Sequence, residues 1–192
     1  WSQTTPATTV VVDSSALYAA TKKPAISDGK VREFAPSITA DGKKIFFWAP
    51  INGTQQLFEV DYPGATKKLP VVKQITKGDF DVVNINCIDP VGGYVYYIAS
   101  PENYTQRYLY RSKLDGSGDA QRVSPSSMAG QNSYQISADA KYAIHTFENA
   151  ATPRRISVID LADHREIRIL EDNAILKSRI NELGLRSKEF FK

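Results

Sequence analysis

Residues 88–99 read IDPVGGYVYYIA: an isoleucine, a turn built of Asp, Pro and paired glycines, then an unbroken apolar run from Tyr94 to Ala99. The same design appears as ITADGKKIFFWA at 38–49 and as ISADAKYAIHTF at 136–147. The leading isoleucines, at 38, 88 and 136, recur at intervals of 50 and 48 residues. Each copy is followed by a second apolar segment, QQLFEVDY (55–62), RYLYRSKL (107–114) or RRISVIDL (154–161). A third then closes the unit: KQIT (73–76), QRVS (121–124) or IRIL (167–170). Order and period are kept three times, which marks an internal repeat.

The segments are short, rich in β-branched and aromatic residues, and punctuated by Asp, Gly, Pro and Asn, the pattern of strands and hairpins. Lys44–Ala49 and Tyr94–Ala99 are apolar at successive rather than alternate positions, so both faces of these strands are expected to be covered. Stacked blades provide such cover, and periods of 40–50 residues are those of β-propeller blades. The expected fold is all-β, a partial β-propeller of three blades at 36–83, 84–133 and 134–170, ending in a short C-terminal helix. Residues 1–35 are irregular, with strand-like stretches at Thr8–Val12 and Ala16–Ala20, and supply at most a shortened fourth blade. After Leu170 the apolar residues Ile175, Leu176, Ile180 and Leu183 fall at helical spacing, with Asp172 or Asn173 to cap the start and Gly184 at C′. Residues 171–192 therefore read as a linker helix and tail leading to a further domain. Propellers have four to eight blades, so a fragment of a larger propeller is expected, with association of copies as the other way to cover open blades.

Composition narrows the function. The chain holds 24 Lys+Arg against 21 Asp+Glu, and the basic residues are scattered, which argues against a nucleic-acid partner. One cysteine, Cys87, excludes an internal disulfide and a Cys-rich metal site. The longest apolar runs are too short to span a membrane, and no export leader is visible in the segment. Asn52-Gly53-Thr54 and Asn103-Tyr104-Thr105 are glycosylation sequons, relevant only in a eukaryotic secretory route.

The most suggestive local motif is Asp115-Gly116-Ser117-Gly118-Asp119. It occupies the slot between second and third segments that holds Tyr62-Pro63-Gly64-Ala65 in the first unit and Leu161-Ala162-Asp163-His164 in the third. Three unrelated sequences in one slot read as hairpin turns. A phosphate loop would open a helix, whereas Ala120–Ser124 reads as a strand. An EF-hand loop would need a distal Glu and flanking helices. No Gly-x-Ser-x-Gly elbow is present in the sequence. His145 lies in the buried-looking strand Tyr142–Phe147 and reads as a satisfied core histidine; His164 reads as a turn residue. Cys87 is read as a small buried residue at the start of a strand. The tyrosines at 94, 96, 97, 104, 108 and 110 are assigned to blade packing rather than base stacking. The polar loops Pro101–Gln106 and Ser124–Asn132 remain as surfaces without a ligand signature. No metal-ligand spacing or cofactor motif is present, so no metal and no cofactor is expected.

ITADGKKIFFW (38–48), QITKGDFDVVNI (74–85), VYYIAS (95–100), RYLYRSKLDGSG (107–118), YQISADAKYAIHTF (134–147) and ILEDNAIL (169–176), in this order, resemble the later blades of the N-terminal propeller of the dipeptidyl peptidase IV family of serine peptidases. The resemblance covers about residues 30–192. It implies a parent chain that removes dipeptides from peptide N-termini, with its nucleophile elbow in an α/β-hydrolase domain C-terminal to the propeller. No catalytic residue is carried over to this segment, which is expected to have no peptidase activity of its own. The family's paired glutamates have no counterpart here. A family run entering a blade near the substrate cavity is similar to VREFAPS (31–37), which nominates Arg32 and Phe34 as cavity-lining residues, although Glu33 intervenes. The implied partners are the hydrolase domain of the same chain and a peptide substrate, with a homo-oligomer as a further expectation and export as the implied location. The alternative is a free-standing propeller-like interaction scaffold without peptidase activity.

Overall fold

A computed structural model describes residues 34–38, 42–51, 53–61 and 72–184. The strand-like stretches before residue 33, Arg32, the turn at 62–65 and the tail 186–192 lie outside the described residues. The chain divides into two compact units, residues 1–74 and 75–192.

The first unit holds one antiparallel sheet in the order β1 (Phe34–Ile38), β2 (Lys44–Ile51), β3 (Thr54–Asp61), β4 (Val72–Gln74). Strands β2 and β3 are in register from Lys44↔Asp61 to Ile51↔Thr54. Gly53, at φ 82°, supplies the left-handed turn between them. Phe46, Phe47, Leu57, Phe58 and Val60 are buried, and the rings of Phe47 and Phe58 stack at 5.6 Å. Glu59 is buried among them and tolerated because Lys44 hydrogen-bonds it and Lys73 lies 3.8 Å away.

The second unit holds two such sheets. One runs β5 (Val82–Asp89), β6 (Tyr94–Ala99), β7 (Tyr108–Lys113), β8 (Gln121–Arg122); the other runs β9 (Gln131–Ile136), β10 (Tyr142–Glu148), β11 (Arg155–Asp160), β12 (Glu166–Glu171). They meet through a core of Tyr96, Ile98, Leu109, Tyr134, Ala143, Ile159 and Leu161. A parallel bridge pairs Arg107 with Gln131 at the start of β9.

Each recurring twelve-residue stretch is the hairpin joining the first two strands of a sheet. The repeat therefore contains four strands where the apolar pattern displays three, the first strand of each sheet running into the turn of the recurring stretch. Cys87 accordingly sits near the end of β5, not at the start of a strand, and is half-buried. The strand expected at 121–124 is shorter, with Val123 and Ser124 instead donating their N–H groups to the Leu109 carbonyl.

Successive burial holds on β6, where Val95–Ala99 are all buried, and largely on β2. Strand β10 differs: Ala143 and His145 are buried while Tyr142 and Ile144 are 48% and 39% exposed. The helix forms where expected, α1 at Ala174–Glu182, although none of its residues is buried. Asp172, one residue before the cap position, accepts the Ala174 N–H at 2.9 Å. Asn173 holds the cap position in left-handed backbone but donates its side-chain amide to the Arg154 carbonyl. Gly184, at φ 58°, takes the C′ position. No helix among the described residues is long and apolar enough to cross a membrane.

Candidate functional site

The first strands, β5 and β9, are the edges of their sheets, and a cavity of about 530 Å³ opens between them. Its lining mixes polar groups, Asn84 and Asn86 from β5, Gln131 to Ser133 from β9, Thr146 and Glu148 from β10, with Arg107 and Arg154, and the apolar Val83, Ile98 and Tyr134 ring. Hydrogen bonds set most of these groups. The Asn86 amide donates to the Tyr134 carbonyl at 2.7 Å and ties one edge to the other. The Asn132 amide donates to the carbonyls of Arg107 and Met128 at 2.9 and 3.0 Å. Gln131 donates to the Thr105 carbonyl at 2.7 Å, so the two polar loops left unassigned by the sequence meet at the cavity. Arg107 directs one nitrogen at Ser100 Oγ and at the carbonyls of Tyr104 and Gln106. Arg154 pairs with Glu148 at 3.2 Å.

Beneath the cavity lies a cluster the sequence did not reveal. His145 from β10 and His164 from the β11–β12 turn bring their rings to 4.9 Å, edge to face. Tyr134 stacks on His145 at 4.5 Å, and its hydroxyl lies 2.8 Å from both Ser124 Oγ and His164 Nε2. His145 Nε2 lies 2.9 Å from Asn132 Oδ1. Burial, reinforced by His164 and Arg155, pushes the His145 imidazole down to about 3. Burial also lowers His164, although Asp163 opposes it, and burial raises the Tyr134 phenol. Both sequence readings stand: His145 is a satisfied core histidine and His164 a turn residue, at φ 57°. What the sequence could not supply is that the third repeat's strand and turn fold onto one another.

The cluster does not have the arrangement of a Ser-His-Asp triad. Ser124 is buried, and its hydroxyl oxygen accepts the Leu109 N–H at 2.8 Å. Asp163, beside His164 in sequence, accepts the Arg165 N–H instead of orienting an imidazole.

Asp115–Asp119 is a turn. Asp115 accepts the Ser117 N–H at 2.7 Å, Gly116 donates to the Lys113 carbonyl, and both glycines have φ near 70°. Lys77 caps the Gly116 carbonyl at 2.8 Å. Among the described residues no group of three or more His, Cys, Asp or Glu is placed to hold a metal. The tyrosines pack: Tyr97, Tyr110 and Phe80 stack at 6.3–6.4 Å, and Arg122 lies 3.7 Å over Tyr108. Tyr104 alone of the six is mostly exposed, at 78%. Phe34 is the first residue of β1, in register with Trp48; Arg32 lies outside the described residues.

Residues 3–154 match the family model for the dipeptidyl peptidase IV (DPP IV) N-terminal region. The chain is 32% identical over 119 residues to a probable dipeptidyl-aminopeptidase B of Emericella nidulans, a match covering 60% of this chain and 13% of that protein. The chain thus spans about an eighth of the length of such curated relatives. Crystal-structure relatives include dipeptidyl peptidase 4 of Porphyromonas gingivalis, at 28% identity and a TM-score of 0.63, covering 76% of this chain and 19% of that one. A putative dipeptidyl aminopeptidase IV of Bacteroides ovatus matches at TM-score 0.57 and 19% identity, over 71% of this chain and 21% of its own, a likeness of fold alone. The fold class is that expected: all-β, a partial β-propeller with a short C-terminal helix.

Proposed function

The chain belongs to the dipeptidyl peptidase IV N-terminal region family, and from that membership we propose that it is a non-catalytic part of the propeller of a serine exopeptidase. In this reading it covers the active site of a separate α/β-hydrolase domain on the same parent chain and restricts entry to short or unfolded peptide ends. The family match over residues 3–154 carries the proposal. Supporting it, the cavity lies along the first strands of the second unit's sheets, and propeller blades are arranged around a central channel. Arg32 and Phe34 remain proposed substrate-cavity residues, and an exported location and a homo-oligomeric parent belong to the same reading.

The test is a chromogenic X-Pro substrate offered to the complete protein and to residues 1–192 alone. The complete protein should release the chromophore and the segment should not. Robust turnover by the segment, or a complete protein inert towards N-terminal dipeptides, would overturn the assignment. Separately, deleting the propeller while retaining a folded hydrolase domain should admit larger, folded substrates; unchanged size selectivity would remove the gating role.

A further inference from the structure

We propose that the cavity between β5 and β9 is a subsite for an extended peptide segment carrying a carboxylate, with Arg107 as the carboxylate's partner. This deepens the function proposed above and rests on it for the supply of peptide. The case begins with the backbone. Both strands are sheet edges, and an edge offers a row of backbone donors and acceptors with which an extended peptide can pair. The gap is bridged at Asn86 Nδ2 to the Tyr134 carbonyl, while the Asn132 N–H donates to the carbonyl of Arg107, just ahead of β7, at 3.1 Å. These bonds set the spacing of the edges around a cavity whose volume is in the range of small-ligand sites.

The unused hydrogen-bond capacity fits a peptide. Asn84 uses one amide N–H on Asn86 Oδ1 at 3.0 Å, and Gln131 uses one on the Thr105 carbonyl. Each therefore presents a carbonyl oxygen as an acceptor for a ligand N–H. Ser133, also on the lining, has no side-chain partner among the described residues. Arg107 uses one terminal nitrogen on three oxygens, leaving Nε and the other terminal nitrogen as donors without a partner among the described residues. Charge selects the acid. Arg154 is neutralised by Glu148, whereas Arg107 has no carboxylate within ion-pair distance among the described residues. A peptide acid can occupy the Arg107 fork while its backbone N–H groups meet the Asn84 and Gln131 carbonyl oxygens, which inorganic phosphate, chiefly an acceptor, would not do.

Equilibrium binding to the complete protein tests this with N-acetylated Ala-Glu-Ala-Ala amide and its Gln counterpart. Both lack the free amino terminus that an aminopeptidase requires, so hydrolysis does not enter. The Glu peptide should bind roughly tenfold more tightly, and the preference should shrink as salt rises. Arg107→Gln should abolish the preference and Arg107→Lys retain part of it. Asn84→Leu should weaken both peptides alike, and Arg165→Gln, an exposed arginine outside the cavity, should change nothing. Because Arg107 also holds the 100–106 loop, the Lys and Asn84 variants test the subsite if Arg107→Gln disturbs that loop. Equal affinity for the two peptides, no binding of either, or a preference that survives Arg107→Gln would overturn the subsite. An active peptidase without the preference would lose only the subsite; the preference in a protein inert towards X-Pro substrates would lose the peptidase assignment and leave the peptide site.

Discussion

The two sheets of the second unit are copies of one design with opposite fates for their second strands. On β6, side chains pointing to either face are buried from Val95 to Ala99, whereas β10 buries Ala143 and His145 and exposes Tyr142 and Ile144. The outermost strand of the second sheet continues the contrast, with Ile167, Ile169 and Leu170 each almost half exposed. Residue type does not account for this, since β10 carries β-branched and aromatic residues much as β6 does. What differs is cover, which a strand receives from its neighbours and not from its own sequence.

Truncation on the two sides of this contrast should give the largest difference. Leu109 is fully buried in the core shared by both sheets. Leu109→Ala is expected to destabilise the unit by about 2–5 kcal/mol, through lost burial and the cavity left behind. Ile144→Ala, on the open face, should change stability by less than about 1 kcal/mol in the isolated segment. Urea denaturation of both variants measures the gap. Equal losses would show that the β10 face is covered and that the comparison is wrong.

The second contrast is acid sensitivity. A buried histidine held at about 3 in the folded state and near 6.5 when unfolded takes up its proton on unfolding. Its stabilising effect is complete above about pH 6.5 and is lost as pH falls towards 3, with a slope approaching 1.4 kcal/mol per pH unit. His164, also lowered by burial, acts in the same direction. The β9–β12 sheet should therefore open first on acidification, read as faster amide exchange in β10 than in β6 between pH 6 and 4. His145→Phe, although it forfeits the bond to Asn132, should flatten the pH dependence of β10 exchange. An unchanged slope would move the sensitivity elsewhere.

This contrast also shows how far the sequence reaches. The repeat, its strand-rich units, the turn at Asp115–Asp119 and the helix after Leu170 are written in local patterns: apolar runs, glycine placement and helical spacing. The first strand of the third repeat was obscured because QNSYQI is polar at four of its six positions; VVNINCID is more apolar, but Asn84 and Asn86 break its run. Burial of successive residues on β6 was legible because the run YVYYIA permits no polar face. The exposure of Ile144 was not, because nothing in its own strand states what lies beside it. The candidate site was hidden for a related reason. Asn84, Arg107 and Gln131 come from separate segments, and their common lining depends on how two sheets meet. His145 and His164 were each read correctly alone, yet their pairing depends on a turn folding back across 18 intervening residues.

The smallest expected effects lie in the two hairpin turns from which the repeat is recognised. In the 88–99 copy, Asp89 accepts the N–H groups of Val91 and Gly92 at 3.1 and 2.9 Å, and Gly93 takes the left-handed position at φ 75°. A Cβ on Gly92 would stand 2.2 Å from Asp89 Oδ2, so Gly92→Ala must displace the side chain that organises the turn, at a cost of about 1 kcal/mol. In the 136–147 copy, Ser137 and Asp139 organise the turn, and the left-handed residue is Ala140, at φ 52°. An L-residue pays there for its Cβ, about 1–2 kcal/mol, while glycine would surrender more chain entropy on folding. Ala140→Gly should therefore stabilise the third hairpin by no more than about 1 kcal/mol, measured as a raised urea midpoint with an unchanged slope. The two substitutions exchange glycine and alanine in opposite directions and both follow from where each turn places its left-handed residue and its aspartate. A loss on Ala140→Gly would mean that the third turn is held by its Ser–Asp bonds strongly enough for backbone entropy to outweigh the relief of strain.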